Sequence, residues 1–545
     1  MLKKIFSKPI NTITSAAALV ALFSFFSRVL GVLRDRVLAG QFGASEITDA
    51  YYAAFRVPDL LFNLIVLGAL SAGFIPVFTK LVKDFSLTYG DSYRKNKSAW
   101  DLSNSILNLL MISLIILSVV AIIFAPQLVR LIVPGFEASL QLTTVKLTRI
   151  MFLSPIFLGI SSVLGGVLQS YKKFFAYSLA PVLYNLGIIF GIIYLMPWFG
   201  IAGLAWGVVL GAFLHMLIQL PFAVSSGFFY RFKLSFKIEG VRKILKMMVP
   251  RTMGLAVGQI NLLIITIISS TLISGSLAVF NFANNLQSFA VGIFGISFAV
   301  AAFPTFSRLS GNDKKLISSF TKTFRQILFF IIPSTVLLLT LRAQIIRVIL
   351  GTGKFNWQDT ILTIDTLGFF TLSLFAQASI PLLVRLFYAK EDSRTPFYAA
   401  IVAMVLNIIL ATYFSATLGV AGLALAFSVS SVLNFLILWL VLNCRLGSLY
   451  GEGLLLAVVK MSVAAIIAGI VVQIAKVVIW PFIDMTTFLG VLLQGLGSGI
   501  AGLAFYVLFC YIFKVEEMSA IFSSLRRRLP WKKIKTEDFI QAREV

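Results

Sequence analysis

Apolar runs of twenty or more residues follow one another along almost the whole chain, and this constrains the fold more than any other feature. A helix needs roughly 20 apolar residues to cross a hydrocarbon layer about 30 Å thick. Runs of that kind fall at 12–39 (span 1), 48–80 (2), 99–129 (3), 141–170 (4), 174–196 (5), 200–225 (6), 249–274 (7) and 276–307 (8). They continue at 320–349 (9), 358–389 (10), 396–416 (11), 419–443 (12), 453–479 (13) and 486–513 (14). The pattern predicts an all-α polytopic membrane protein of about fourteen transmembrane helices. Several runs exceed the minimum length, so tilts and kinks are expected, with Pro58, Pro76, Pro155, Pro250, Pro304 and Pro381 as the kink positions.

Composition closes off the soluble alternative. Of 545 residues, 59% are hydrophobic and only 12% charged, with a mean hydropathy of +0.97, against about a quarter charged in an ordinary soluble domain. The net charge of +25 would point to nucleic acid in a soluble protein. Here the basic residues lie in short segments between apolar runs, where they orient helices and meet anionic lipid headgroups. No nucleic-acid partner is expected; membrane lipids are. The basic start of the chain has no small-residue cleavage site before its Arg-containing continuation, which predicts a retained first helix.

Loop charge sets the expected orientation. Lys3, Lys4 and Lys8 precede span 1; Lys80, Lys83, Arg94, Lys95 and Lys97 follow span 2; Lys172 and Lys173 follow span 4. Arg231, Lys233, Lys237, Arg242, Lys243 and Lys246 follow span 6, and Arg308, Lys314, Lys315 and Lys322 follow span 8. The loops near 197–199, 273–276 and 415–418 carry neither Lys nor Arg. Even-numbered loops and both termini are therefore expected on the cytoplasmic side of the membrane.

The chain repeats itself. FIPVFTKL from Phe74 recurs as AFPTFSRL from Ala302, RLIVPGF from Arg130 as RVILGTGKF from Arg347, and FGIAGLAWG from Phe199 as LGVAGLALA from Leu418. The offsets of 228, 217 and 219 describe one duplicated unit with small insertions. Six helices per unit is an even number, so the copies run the same way through the membrane, as in transporters whose substrate sites lie where two parallel bundles meet. The expected organisation is an N-terminal lobe at 1–228, a basic cytoplasmic linker at 229–248, a C-terminal lobe at 249–445, helices 13 and 14 at 446–513 and a basic cytoplasmic tail at 514–545. A central cavity is expected between the two six-helix lobes.

Charges inside the spans mark candidate function, since each costs at least about 2.5 to 3.5 kcal/mol in hydrocarbon. Span 1 carries Arg28, Arg34, Asp35 and Arg36; span 2 carries Asp49, Arg56 and Asp59. At about 100° per residue, Arg28 and Asp35 share one helix face, as do Asp49 and Arg56, whereas Arg34 points elsewhere. Against a cavity role stand two plainer readings: Arg34, Asp35 and Arg36 sit near the periplasmic end and snorkel to headgroups, and Asp59 pairs with Arg56 on the same helix. The excess of arginine favours an anionic substrate group, because guanidinium pairs bidentately with phosphate. On span 8, Asn284 and Asn285 are candidates for cavity lining or for interhelical hydrogen bonding. His215 reads as a helix-packing residue, and Asp365 as a lone acid. Cys444 and Cys510 have no metal-site or disulfide spacing. The sequence lacks GxxxxGK[ST], GxSxG and HExxH, so no ATP-driven or hydrolytic chemistry is read from it. No cofactor is called for; a coupling ion or the membrane potential is the expected energy source.

FSRVLGVLRD at 26–35, QFGASEITDAYYAAFRVPDLL at 41–61 and GALSAGFIPVF at 68–78 resemble the opening of the MurJ (MviN) lipid II flippases. These belong to the multidrug, oligosaccharidyl-lipid and polysaccharide exporter superfamily. LAPVLYN at 179–185, GQINLLI at 258–264 and GIFGISFAVAAFPTFS at 292–307 continue the resemblance, which covers about the first 450 residues. It implies a bacterial inner-membrane flippase that carries undecaprenyl-pyrophosphate-linked peptidoglycan precursor to the periplasmic leaflet by alternating access, for cell-wall synthesis. It also implies roles for Arg28, Arg34 and Asp49 in substrate handling, with the two arginines on the pyrophosphate, and a groove for the polyprenyl tail in helices 13 and 14. Arg56, Asn284 and Asn285 join the substrate-binding candidates, and Asp35, Asp59, Asn185 and Gln259 are cavity or structural candidates. Relatives carry an Asp-Arg pair and a following Glu on helix 8 where this chain has Asn284, Asn285 and Ser288. Their arginine and glutamate on helix 2 fall near Phe62 or Asn63 and Leu67 here. The alternative reading is an exporter of another lipid-linked glycan, or of drugs or metabolites, with the same fold.

Overall fold

A computed structural model describes residues 13–68, 73–89, 97–235, 238–447, 449 and 453–518. The basic residues Lys3, Lys4, Lys8, Arg94, Lys95 and Lys237, and the tail beyond Met518, lie outside the described residues. Among the described residues there are helices and no strands. Twelve helices are long and apolar enough to cross a membrane, and the pair Trp357–Thr371 and Leu374–Ala389 makes a thirteenth span. Ile13–Phe42, 30 residues long, occupies the position of span 1; at 1.5 Å per residue it reaches about 45 Å. The chain is a multi-pass membrane protein.

The spans are less uniform than their hydropathy. Span 2 runs through Glu46–Leu61 and then widens into a π-helical turn at Phe62–Leu67, four residues after Pro58. Span 8 does the same at Val291–Ile296, 229 residues after the first π turn. Span 4 breaks at Phe152, between Ala138–Met151 and Leu153–Ser170. Pro155 has no N–H for the Met151 carbonyl, and the Ser154 hydroxyl donates to that oxygen at 2.8 Å instead. Span 10 breaks at Leu372–Ser373, eight residues before Pro381, so there the expected proline kink is displaced. Two short helices that hydropathy does not separate from their neighbours, Ala125–Ile132 and Arg342–Ile349, follow spans 3 and 9.

The duplication is written into the backbone. Lys172 and Glu391 both have positive φ, near 60°, and close equivalent turns: Lys173 N–H donates to Leu168 O, and Asp392 N–H to Phe387 O. Gly200 and Gly419 share a φ of 58°. Each pair is 219 residues apart, as the repeated sequence requires.

Two compact units form. The first comprises Met1–Leu286, Ile349–Phe369 and Phe397–Ser430; the second Gln287–Val348, Phe370–Pro396 and Ser431–Val545. Lipid offers no hydrophobic drive to bring helices together, so packing and hydrogen bonds hold each unit. In the first, Phe74, Phe78, Trp100, Leu164, Val167 and Phe228 form a buried cluster. Spans 5 and 6 touch backbone to backbone, since a Cβ on Gly207 would stand 2.7 Å from Gly191 Cα. His215 packs between helices, its Nδ1 2.7 Å from the Ser161 hydroxyl, which also receives Gln219 Nε2 at 2.6 Å.

The second unit is built on Phe306, Phe320, Phe324, Phe435 and Trp439, whose rings touch in sequence. Polar contacts fix spans 13 (Leu454–Ile479) and 14 (Phe488–Ile512) to span 9 (Asp313–Thr340) at several levels. Just beyond the end of span 14, Glu517 and Glu516 pair with Arg325 at 2.5 and 2.9 Å. Tyr506 donates to Phe329 O at 2.8 Å, and Lys476 to Thr340 O at 3.1 Å. An apolar cleft of about 500 Å³ opens in this unit, lined by Phe324, Leu328, Phe375, Trp439, Leu455 and Ile466 among others.

Candidate functional site

The intramembrane charges of spans 1 and 2 gather in the first unit. Arg34 turns back on its neighbour: Nη2 lies 2.8 Å from Asp35 Oδ1 and Nε 3.1 Å from the same oxygen. The helical wheel separates these residues by about 100°, but the long arginine side chain spans that gap. Asp35 is 4% exposed, and its second oxygen accepts from Asn285 Nδ2 at 2.8 Å. Asn185 completes this edge, accepting from Arg34 at 3.5 Å and donating to Ser27 O at 3.2 Å. Arg28 is half-buried on the same helix, and Asn284 is half-buried beside Asn285. Gln259 makes no side-chain hydrogen bond among the described residues.

Arg56 does not pair with Asp59. Its Nε donates to Thr266 Oγ1 at 2.7 Å and its Nη2 to Asn281 Oδ1 at 3.0 Å. Asp59 is half-buried, lies within electrostatic range of Arg56 and Arg34, and forms no ion pair within 4.0 Å among the described residues. The intrahelical pairing that stood as the plainer alternative for Asp59 is therefore replaced by contacts from Arg56 to spans 7 and 8.

Asp49 is committed to backbone. Only 2% exposed, it accepts from Gly275 N–H at 2.8 Å through one oxygen and from Ala278 N–H at 2.7 Å through the other. Those amides begin helix Ser276–Ala290, where orphan donors and the positive end of the dipole favour a carboxylate. A second carboxylate, which the sequence reading passed over, works alongside it. Asp359 Oδ2 accepts from Ala44 N–H at 3.1 Å and from Asn356 N–H at 3.1 Å, while Asn356 Oδ1 accepts from Asp359 N–H at 2.8 Å. The Asn-x-x-Asp spacing before an apolar helix is a capping-box signature that was there to be read.

Glycine lets these turns meet. A Cβ at Gly43, which has φ +67°, would stand 2.8 Å from Lys354 O, and one at Gly275, with φ +88°, would collide with the Ala44 carbonyl. Lys354 N–H donates to Gly40 O at 2.9 Å, and Arg36, for which snorkelling stood as the plainer alternative, donates to Ile349 O at 3.2 Å. Together these contacts form a clasp joining the 43–45, 271–275 and 350–356 turns. Asp365 is exposed on span 10, and no group of three His, Cys, Asp or Glu able to hold a metal occurs among the described residues.

Duplicated helices with buried charges along two apolar spans, closed at one end by a backbone clasp, define a polytopic membrane transporter. The model of the family "Lipid II flippase MurJ" matches residues 38–493. The chain belongs to the MurJ lipid II flippase family, a family of transporters and not of enzymes. It is 31% identical over 430 residues to a probable lipid II flippase MurJ of Buchnera aphidicola subsp. Baizongia pistaciae, covering 77% of this chain and 81% of that one. It is 30% identical over 437 residues to the lipid II flippase MurJ of Burkholderia cenocepacia, covering 78% and 82%. Among solved structures, a lipid II flippase MurJ in an inward closed conformation superposes with a TM-score of 0.73 at 26% identity, over 92% of this chain and all of that one. An inward-facing multidrug resistance transporter of the MATE family matches at TM-score 0.65 and 16% identity over 78% of this chain and 95% of that one, a likeness of fold.

Proposed function

We propose that this chain moves lipid II, the undecaprenyl-pyrophosphate-linked peptidoglycan precursor, from the cytoplasmic to the periplasmic leaflet by alternating access. The observation that carries the reading is the set of arginines Arg28, Arg34 and Arg56 held in apolar helices of a chain that belongs to the lipid II flippase family. Guanidinium stays charged at any physiological pH and matches a pyrophosphate oxygen pair with its planar fork. In a space of low dielectric that attraction is far stronger than in water. Arg34 reaches the substrate by exchanging Asp35 for pyrophosphate, and Asn285 keeps Asp35 hydrogen-bonded while it does so. Asn284 lines the same edge. Asp49 acts on the clasp rather than on the substrate, because both its oxygens are taken by backbone amides.

The polyprenyl tail is assigned to the second unit. The cleft beside span 13 is apolar and, at about 500 Å³, takes a stretch of a long polyprenyl chain. The loop charges support an orientation with both termini in the cytoplasm. An ion gradient or the membrane potential drives the cycle, and dissipating each in turn with ionophores distinguishes them.

The test is complementation of a flippase-depleted bacterium. The unmodified chain should restore growth and clear accumulated lipid II; Arg28→Ala should do neither at equal protein in the membrane, and Arg28→Lys should restore part. Growth with Arg28→Ala equal to that of the unmodified chain would remove Arg28 from the pyrophosphate site. Failure of the unmodified chain to clear lipid II would overturn the substrate.

A further inference from the structure

Between spans 6 and 7 the chain runs as an extended strap, residues 228–235, with neither helix nor strand. It lies along span 3 (Lys97–Ile123), and two buried side chains of that helix, Asn104 and Asn108, each 2% exposed, act as its hydrogen-bonding edge. Asn104 donates to Phe229 O at 3.1 Å and accepts from Arg231 N–H at 3.0 Å. Asn108 donates to Arg231 O and Lys233 O, both at 3.1 Å, and accepts from the Tyr230 hydroxyl at 3.0 Å. Lys233 reaches Asp101 at 2.5 Å, and Phe228 packs on Trp100.

Span 3 has 27 residues, or about 40 Å, so it overhangs a hydrocarbon layer of about 30 Å, and its polar start from Lys97 to Asn108 falls at one boundary. Non-helical backbone beside hydrocarbon survives only when its polar groups find partners, which the two asparagines supply. The strap nevertheless turns large side chains outward: Phe229 is 69% exposed, Tyr230 54%, Phe232 72% and Leu234 41%. Arg231 stacks over Phe229 at 5.8 Å. Next in the chain, helix Glu239–Ser270 begins with Val241 and Ile244 buried and with Lys243 and Lys246 exposed. Outward aromatics beside cations are the composition of a surface lying in the headgroup–acyl boundary.

We propose that residues 228–235 and 240–246 form a docking site for anionic phospholipid of the leaflet on the Lys97 side, with Phe229, Tyr230 and Phe232 among the upper acyl carbons and Arg231, Lys243 and Lys246 on the headgroup. This makes the connection between the two sequence repeats an element seated in the leaflet rather than a loop in water. The site takes the bulk lipid and uses none of the arginines of spans 1 and 2.

The test places a spin label at Phe232→Cys in the full chain carrying Cys444→Ser, reconstituted in phosphatidylglycerol–phosphatidylcholine vesicles, with Lys314→Cys as an aqueous control. The label at position 232 should collide with oxygen and be shielded from a water-soluble nickel chelate, the reverse of the control. Equal nickel access at both positions overturns the proposal in favour of an aqueous surface, and shielding from both reagents overturns it in favour of a protein contact. Retained phosphatidylglycerol, counted by native mass spectrometry, should fall at least twofold with Lys243→Gln and Lys246→Gln together. An unchanged count overturns the anionic-headgroup assignment.

Discussion

Asp49→Asn should release the clasp. The carboxylate takes two backbone N–H bonds, at 2.8 and 2.7 Å, at a position 2% exposed. A hydrogen bond to a charged group contributes about 1.5 to 3 kcal/mol. Asparagine keeps one acceptor oxygen and sets its amide N–H against one of the two backbone donors. The loss is then one charge-assisted bond plus a buried donor left without a partner, about 2 to 4 kcal/mol. In an unclasped state water hydrates the same groups, so nearly all of this cost falls on the clasped state. At 1.4 kcal/mol per factor of ten, the lower figure shifts the equilibrium about thirtyfold. Thr48, fully buried with its hydroxyl on Gly43 O, supplies the reporter. In a Cys444→Ser background, the thiol of Thr48→Cys should react with a membrane-impermeant maleimide at least about tenfold faster when Asp49→Asn is added. Equal rates in protein inserted to the same level would refute the argument, because the carboxylate would then not hold the turns together.

Other contacts give separate outcomes. Asp59→Asn removes an acid that has no ion pair among the described residues and leaves Arg34 and Arg56 less opposed; a polyprenyl pyrophosphate should bind severalfold tighter and transport should slow, and unchanged affinity would separate Asp59 from the site. Asn285→Ala deprives buried Asp35 of a bond worth about 1.5 to 3 kcal/mol, so the thermal midpoint in detergent should fall measurably. Ser462→Phe narrows the apolar cleft and should weaken binding of a long polyprenyl phosphate while sparing a short-chain analogue; equal loss for both would dissociate the cleft from the tail. In the 390–393 turn, burial raises the Asp392 carboxyl, but the Thr395 hydroxyl and amide, Arg445 and the Arg394 amide outweigh it and hold it at about 2, against an ordinary 3.8. Because the folded value is the lower one, its contribution is present above about pH 4 and lost as pH falls towards 2. The midpoint difference between the unmodified chain and Asp392→Asn should therefore be constant from pH 8 to about 5 and shrink below 4; a difference that grows on acidification would contradict the assignment.

What was legible in the sequence follows from the range of each signal. Hydropathy is local: it located the thirteen spans that are long and apolar enough to cross a membrane among the described residues, while missing their internal breaks. The π turn at Phe62–Leu67 leaves hydropathy unchanged because it alters hydrogen-bond register and not composition. The same holds at Val291–Ile296, where only the repeat offset ties the two turns together. Asp49 and Arg56 were legible as charges in the wrong solvent. Their partners were not: Gly275 and Ala278 contribute backbone amides that no side-chain pattern reports, and Thr266 and Asn281 are ordinary polar residues 210 and 225 positions away. Asp359 was readable as a capping-box residue, but its bond to Ala44 was not.

The amides on span 8 bear on how the charges of spans 1 and 2 are satisfied. Asn284 and Asn285 on span 8 supply neither a counter-charge for Arg34 nor a cation for Asp35. Each buried charge must then be balanced from its own repeat or be hydrogen-bonded by neutral groups. Both occur. Arg34 and Asp35 neutralise one another across 2.8 Å, with Asn285 filling the remaining carboxylate oxygen. Arg56 is satisfied by Thr266 and Asn281, which donate no charge in return. Asp49 is balanced by the end of a helix. Neutral partners hold a guanidinium in place without cancelling its field, so Arg56, opposed at longer range by Asp59, keeps an attraction for an anion, whereas Arg34 must first give up Asp35. An Asn281→Asp substitution should therefore reduce pyrophosphate binding more than Asn281→Ala does, although the aspartate is the better hydrogen-bond acceptor for Arg56. If the two substitutions bind a polyprenyl pyrophosphate equally, the field of Arg56 does not reach the substrate, and its role is confined to joining span 2 to spans 7 and 8.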